Sequence, residues 1–304
     1  MYRGVLEEYA AFSLEDPGDA DALSDSLTPT AVRNYEVHLL DERKLSNRTV
    51  NLHLSVLSGF CRFLMTQGRL KSNPIRLVTR PKTEKRLPEF YRDDAMEQYF
   101  SSTEYAASEE NLELLCACPR TDKLARELYE LRLHRLVIVL LHGTGLRRSE
   151  LSSLDVQSLD MSRKILKVRG KGDKMREVPL VPSVAREIEL YLRAAAAFFG
   201  AEPTASDPLL RTPSGRRLYP VYIDRTVKGE LGSVPDITGR KSPHVLRHTL
   251  ATELLNDGSD LNSIKELLGH SSLAATQVYT HNSVERLKAV YEKAHPRAKD
   301  PSDT

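Results

Sequence analysis

Two basic residues one helical turn apart are the strongest chemical signal in this chain. His244 and Arg247 follow Ser242-Pro243, a pair typical of a helix start, with serine as the N-cap and proline as the first helical residue. A spacing of three residues places both side chains on one face of the helix. Because the free N–H groups at a helix N-terminus favour an anion, we expect a phosphate-binding turn here.

A second arginine lies at a predicted break between two helices. Residues 142–145, with two glycines, end one helix, and Ser149 or the turn before it starts another. Arg147 therefore lies at a bend, where a guanidinium can bind two phosphate oxygens at once. An ordinary solvent-exposed arginine is the alternative. Glu150 either pairs with Arg147 or only complements the helix dipole.

Lys171 lies between two glycines at the tip of a predicted β-hairpin formed by residues 165–168 and 175–178. The glycines let the backbone approach a ligand closely, and a mobile lysine there could protonate a departing oxygen. A ribbon that only binds a nucleic-acid backbone is the alternative. That alternative rests on the other basic residues of the hairpin, which are Arg163, Lys164, Lys167, Arg169, Lys174 and Arg176.

Two later side chains complete the candidate set. His270 follows Gly269, a predicted helix C-cap, so its ring should project from a turn. Tyr279 lies in a short helical stretch, where a tyrosine is usually packing, and a free pKa of about 10 makes it a weak nucleophile. Cations around a shared phosphate would stabilise its phenolate. His248 and His281 lack such placement and are interpreted as structural or surface residues.

The elements that must position these residues are mostly helices. Residues 1–80 are predicted to be helical, with Thr28-Pro29 and Ser46 as helix starts. Residues 81–88 are polar, charged and bounded by prolines, as in an interdomain linker. Residues 89–304 form the second predicted domain.

In that second domain we expect a buried helix over residues 131–141, the hairpin, and a helix over residues 185–199. A proline-rich loop then leads to the helix that begins at Ser242. The acidic segment 93–115 has no assigned role. The predicted fold class is mainly α with a small β-sheet (α+β).

Composition and charge narrow the class of protein. Among 304 residues, 40% are apolar, and the sequence contains no apolar run of the roughly 20 residues that a membrane span needs. We expect no membrane association and a cytoplasmic location. The three cysteines have no spacing that indicates a disulfide framework or a zinc site.

The net charge of +2 hides a strong segregation of charge. Residues 33–86 carry twelve Lys or Arg against four Asp or Glu, whereas residues 87–130 carry four against eleven. This separation favours a protein that presents a basic surface to a phosphate backbone. Solvated helix faces are the alternative.

Together these motifs resemble the tyrosine recombinase/phage integrase family, most closely its Xer-like (XerC/XerD-type) members. The resemblance covers nearly the whole chain and is carried by TGLRRSEL, GKGDKMREVPL, SPHVLRHTLATELL and LLGHSSLAATQVYTH. It implies that the catalytic residues, in order, are Arg147, Lys171, His244, Arg247, His270 and Tyr279.

The resemblance also implies a chemistry. Tyr279 would attack a DNA phosphate to form a 3′-phosphotyrosine, and Lys171 would protonate the departing 5′ oxygen. Arg147, Arg247 and His270 would hold the non-bridging oxygens. Strand exchange would pass through a Holliday junction, and no metal or other cofactor would be needed.

The resemblance assigns His244 to proton transfer or phosphate binding. It implies an N-terminal helical core-binding (SAM-like) domain that clamps double-stranded DNA, with a roughly palindromic target site, against the catalytic domain. Residues 282–294 would form a helix that docks onto a neighbouring protomer, and a helix folded back on its own domain is the alternative. The implied assembly is a homo- or hetero-tetramer on DNA.

Resolution of chromosome dimers at cell division is the implied task, with a second Xer-type recombinase and a septal DNA translocase as the implied partners. A mobile-element integrase or transposase of the same family and a type IB topoisomerase share this chemistry. A non-catalytic DNA-binding regulator on the same scaffold is the alternative from a different class.

Overall fold

The computed structural model describes residues 2–83, 89–170 and 173–269. The chain divides into two compact units, Met1–Leu87 and Pro88–Thr304. Each unit has a hydrophobic core of its own.

Three predicted site residues, Lys171, His270 and Tyr279, lie outside the described residues, as does segment 282–294. The assignment of DNA binding to residues 1–80 and of catalysis to the rest of the chain stays a prediction.

The first unit is helical. Thr28 and Ser46 are confirmed as N-caps: Thr28 Oγ1 accepts from the N–H of Ala31 at 3.1 Å, and Ser46 Oγ accepts from the N–H of Thr49 at 3.2 Å. The described elements of this unit are α1 (Tyr2–Ser13), α2 (Ala20–Ser26), α3 (Pro29–Val37) with a π-helical turn at His38–Glu42, α4 (Asn47–Thr66) and a 3₁₀ turn at Pro74–Leu77.

The second unit is built around one long helix. Its helices are α5 (Asp93–Ser102), α6 (Glu109–Ala117), α7 (Lys123–Thr144), α8 (Arg148–Ser152), α9 (Pro182–Phe199), α10 (Pro220–Glu230), α11 (Pro243–Asn256) and α12 (Leu261–Leu268). Helix α7 contacts α6, α9, α10 and α11, and it is buried without interruption over residues 136–144. This confirms the predicted buried helix, which ends at the left-handed Gly145.

One prediction about this unit is wrong. Helix α10 lies in the stretch that was expected to be only a proline-rich loop before α11. Pro220 is the first residue of α10, where the missing N–H is not needed. Ile223 and Val227, one helical turn apart, are both buried. Proline was therefore a helix start here and not a loop signal.

The acidic segment 93–115 forms most of α5 and α6. Asp93, Asp94, Glu109 and Glu110 lie in the first turns of these helices, where carboxylates complement the helix dipole. Because α6 packs against α7 and α9, the segment has a structural role that its charge did not reveal.

The predicted hairpin is confirmed, and a short third strand extends it. Strands β1 (Leu159–Asp160), β2 (Ile165–Arg169) and β3 (Met175–Pro179) form an antiparallel sheet in the order β1-β2-β3. Val168 lies opposite Arg176. The mainly α fold with one small sheet is therefore confirmed. Within the part of the chain that is described, no helix has both the length and the apolar character of a membrane span.

Candidate active site

A cleft of about 460 Å³ in the second unit is lined by the bend between α7 and α8, by α10, and by the start of α11. Among the described residues that line the cleft, Asp224 is the only one with a carboxylate, so this lining is strongly cationic and suits an anion. The basic residues that line it are Arg147, Arg148, Lys228, Arg240, Lys241 and Arg247.

The start of α11 contributes its first turn to the cleft. Ser242 and Pro243 occupy the predicted N-cap and first helical positions. The Ser242 hydroxyl, however, makes no capping bond and finds no partner among the described residues, so its predicted capping function is wrong. Its backbone N–H instead donates to the Tyr91 hydroxyl at 3.3 Å. No side chain therefore caps the turn that carries His244.

Arg247 is buried, and the backbone holds its guanidinium from two sides. Nη1 donates to the carbonyl of Gly145 at 2.6 Å, and Nη2 donates to the carbonyl of Leu268. Burial first, and then the nearby charge of Arg147, lower the pKa of Arg247 to about 10. The group therefore stays charged at neutral pH, and no carboxylate of the described residues is bonded to it.

Arg147 immediately precedes α8, and its side chain is 40% exposed. Its Nη1 donates to Glu150 Oε1 at 2.7 Å, and its backbone N–H donates to Glu150 Oε2 at 2.8 Å. The pairing interpretation of Glu150 is therefore confirmed, because its carboxylate orients the Arg147 guanidinium and also accepts from the backbone N–H of this N-cap residue.

Arg176 also contacts Glu150; in the sequence it counted among the basic residues that favoured the alternative of a hairpin that only binds a nucleic-acid backbone. Arg176 is only 6% exposed, so it is not available to such a binding surface. Its Nη1 and Nη2 each donate to one oxygen of Glu150 at 2.9 Å. Burial alone raises the pKa of Glu150, but hydrogen bonds from Arg176 and Arg147 outweigh it and lower the pKa to about 2.

The end of α12 meets all three arginines. Gly269 is confirmed as its left-handed C-cap. Three successive carbonyls at this end accept from three different arginines: Leu267 from Arg176, Leu268 from Arg247, and Gly269 from Arg147 at 3.0 Å. These carbonyls would otherwise be left without partners at the helix end. The backbone that leads directly into residue 270 is thus held at the arginines.

His244 is exposed and lines the cleft. Its ring lies 4.6 Å from the ring of His248, centroid to centroid. Partial burial first, and then the charges of His248 and Arg247, lower the pKa of His244. A lowered pKa favours the neutral imidazole, which can accept a proton.

Of the six predicted site residues, the structure brings Arg147, His244 and Arg247 to one cleft. The other three lie outside the described residues, although their neighbours Gly170 and Gly269 are described.

Sequence reasoning missed Arg176, which does not line the cleft, and four cations that do, Arg148, Lys228, Arg240 and Lys241. Strand alternation could have identified Arg176, because it shares the inward face of β3 with Val178. The Arg240-Lys241 pair directly before the N-cap was also a usable signal.

The sequence of this chain is similar to that of a known protein family. The sequence profile described as the Phage integrase family matches residues 108–286. The chain is 37% identical to a protein named tyrosine recombinase XerC from Chlorobaculum parvum, over 98% of this chain and 88% of that one. It is 36% identical to tyrosine recombinase XerC from Pelobacter propionicus, over 99% and 89%.

Solved structures share the fold. XerH site-specific recombinase bound to difH substrate, in a pre-cleavage complex, has a TM-score of 0.61 at 20% identity, over 94% of this chain and 76% of that one. A lambda integrase dimer bound to a COC′ core site has a TM-score of 0.58 at 16% identity, over 91% and 90%.

Proposed function

This chain belongs to the phage integrase family of tyrosine recombinases, and we propose that it cuts and rejoins double-stranded DNA at a specific site through a 3′-phosphotyrosine intermediate. The observation that carries this proposal is the meeting of Arg147 and Arg247 in one cationic cleft, beside the end of α12.

The two arginines are suited to the charge of the transition state. Attack on a phosphodiester places negative charge on the non-bridging oxygens, and donors already fixed in position stabilise that charge most effectively. Arg247 is held by two carbonyls, and Arg147 is held by Glu150 and by the Gly269 carbonyl. His270, which follows Gly269 directly, is proposed to bind the same oxygens.

The proposed nucleophile is Tyr279. Its hydroxyl loses a proton and forms the new O–P bond, while the bond from phosphorus to the 5′ oxygen breaks and Lys171 protonates that oxygen. His244, which lines the same cleft, is proposed to take part in proton transfer or phosphate binding. The energy of the phosphoester is kept in the protein–DNA bond, so resealing needs no cofactor.

The two units are proposed to divide the work. Residues 1–80 bind the DNA core site through their basic surface, residues 81–88 are the linker, and residues 89–304 catalyse the reaction. Residues 282–294 are proposed to dock onto a neighbouring protomer in a tetramer on DNA.

The similarity to proteins named XerC supports a task in resolving chromosome dimers at cell division, in the cytoplasm. A second Xer-type recombinase and a septal DNA translocase are the partners proposed for that task, and a roughly palindromic duplex is the proposed target.

The test begins with DNA from the genome that encodes this chain. Fragments that copurify with the protein are sequenced, and their shared site is built into a duplex with a nick beside the scissile phosphate. Cleavage of this duplex releases a short strand, so the protein stays covalently attached. We expect the wild-type protein to be trapped on a 3′ end, and Tyr279→Phe to bind the same duplex without being trapped.

The outcomes separate the alternatives. Binding without capture by the wild-type protein would favour the non-catalytic regulator. Relaxation of supercoiled DNA that lacks the site would favour a type IB topoisomerase. A recovered site at the ends of a mobile element, instead of one near the replication terminus, would favour the integrase or transposase. Capture by Tyr279→Phe would contradict the assignment of the nucleophile.

A further inference from the structure

We propose that Arg176 is a positioning residue for the cleavage step: it joins β3 to the carboxylate that orients Arg147 and to the backbone at the end of α12. This inference rests on the proposed function. Arg176 is not among the residues that line the cleft, so it acts on the phosphate only through other groups.

The first support is the geometry of the Glu150 carboxylate. Both of its oxygens accept from Arg176 at 2.9 Å, and the same oxygens accept from the side chain and the backbone N–H of Arg147. A carboxylate with two free oxygens could rotate and carry Arg147 with it. The planar guanidinium of Arg176 fixes both oxygens at once and so removes that freedom.

The second support is the contact with α12. Arg176 Nε donates to the Leu267 carbonyl at 3.3 Å. A Cβ added at Gly269 would lie 3.2 to 3.3 Å from Arg176 side-chain atoms, so the side chain lies directly against this glycine. Arg176 therefore contacts the backbone one residue before His270.

The third support is the position of Arg176 in its strand. It lies on β3, five residues after Lys171 in the sequence, and it faces inward opposite Val168. An apolar residue is the usual occupant of such a position, and burying a charge there is costly unless it is fully paired. One side chain thus connects the lysine hairpin, Arg147 and the end of α12.

The second unit contains a matched control. Arg135 and Glu187 form another buried pair with two parallel hydrogen bonds, at 3.0 and 3.1 Å, in the contact between α7 and α9. Neither residue lines the cleft. Replacing either arginine by lysine keeps the charge but removes the planar two-point contact.

The experiment compares Arg176→Lys with Arg135→Lys in the full chain. Both variants should melt at lower temperature than the wild-type protein, and both are assayed where circular dichroism shows them folded. On the nicked duplex, we expect single-turnover capture by Arg176→Lys to be slower by about 10- to 100-fold, the range for loss of a group that orients a catalytic one. Arg135→Lys should capture DNA at the wild-type rate.

A second substrate distinguishes positioning from loss of structure. In a methylphosphonate, a methyl group replaces one non-bridging oxygen, so the scissile centre is neutral and needs less cationic stabilisation. We expect the defect of Arg176→Lys, relative to the wild-type protein, to shrink on this substrate. Glu150→Gln, which keeps the side-chain shape, should show the same partial rescue.

Three results would overturn the inference. Arg176→Lys could capture DNA at the wild-type rate, or the two lysine variants could lose the same fraction of the capture rate. The third is a defect of Arg176→Lys that is equally large on both substrates. If Arg176→Lys does not fold, the behaviour of Glu150→Gln on the two substrates decides the matter. Failure of the wild-type protein to capture the nicked duplex would instead count against the proposed function.

Discussion

Two buried arginine–glutamate pairs lie in the second unit, and they differ in what surrounds them. Between α7 and α9, Arg135 binds both oxygens of Glu187, and its remaining nitrogen donates to the Phe100 carbonyl and the Thr103 hydroxyl. Each of its three guanidinium nitrogens thus has a protein partner. This pair is a structural element of the core.

At the cleft, one carboxylate serves more than one cation. Glu150 binds Arg176 and Arg147, while the partners of Arg247 among the described residues are backbone carbonyls. Positive charge is therefore in excess beside the cleft. Burial and pairing alone therefore do not mark a functional arginine, whereas an excess of fixed cations beside a cleft does.

The largest effect should come from removing one arginine of each region. We expect Arg247→Ala to lower covalent capture by about 10²- to 10³-fold, because a fixed donor to the charged oxygens is lost, while DNA affinity stays close to that of the wild-type protein. Arg135→Ala should cost about 3–5 kcal/mol of stability, because the buried Glu187 carboxylate loses both of its hydrogen bonds to this guanidinium. Where it is folded, it should still capture DNA. Equal loss of capture in both variants would remove the distinction between the two regions.

Acid should weaken the cleft pair in a defined pH range. The pKa of Glu150 is lowered from 4.5 to about 2 in the folded protein. Its contribution, about 3 kcal/mol, is therefore fully present above pH 4.5 and is lost as the pH falls toward 2. The free energies of unfolding of the wild-type protein and Glu150→Gln, measured with urea, should differ most near neutral pH and become similar in acid. A difference that does not depend on pH would contradict the shift.

A smaller effect is expected from alanine substitutions at two glycines with left-handed backbone conformation, Gly258 and Gly269. Gly269 lies against Arg176, whereas nothing lies within 4 Å of a Cβ added at Gly258. Gly258→Ala should cost about 1 kcal/mol of stability through backbone strain alone. Gly269→Ala should cost more and should also slow capture, because the new methyl group displaces Arg176. Melting temperatures and single-turnover rates measure both effects, and equal behaviour of the two variants would show that the Arg176 contact has no influence.

The smallest effect should come from the exposed ion pair at the edge of the cleft, Arg148 with Asp224. Both side chains are more than 40% exposed, so Asp224→Ala should change stability by less than about 1 kcal/mol. If Arg148 contacts a phosphate, Arg148→Ala should reduce the slope of log K for DNA binding against log salt concentration by about one. Titrations at several salt concentrations measure that slope. A large loss of stability in either variant would contradict the view that only the buried cations organise the site.

Much of this arrangement could be predicted from the sequence. Ser46 and Thr28 predicted the starts of their helices because capping depends on residues that are adjacent in sequence. The glycines around Lys171 predicted the hairpin because turn formation is local in the same way. His244 and Arg247 were predictable as a pair because one helical turn fixes their separation.

The support of the site could not be predicted in the same way. The contact of Arg176 with Glu150 joins residues 26 positions apart, and the bond from Arg147 to the Gly269 carbonyl spans 122 positions. Such contacts depend on tertiary packing, which no local pattern encodes. Helix α10 was missed because a proline at a helix start resembles a proline in a loop.

The most direct test of the account is to identify the atom that becomes bound to DNA. After capture on the nicked duplex, nuclease and protease digestion leaves a nucleotide-bearing peptide that mass spectrometry can sequence. We predict a phosphodiester from the Tyr279 hydroxyl to a 3′ end, absent in Tyr279→Phe and strongly reduced in Arg247→Ala. An adduct on another residue, or on a 5′ end, would contradict the account.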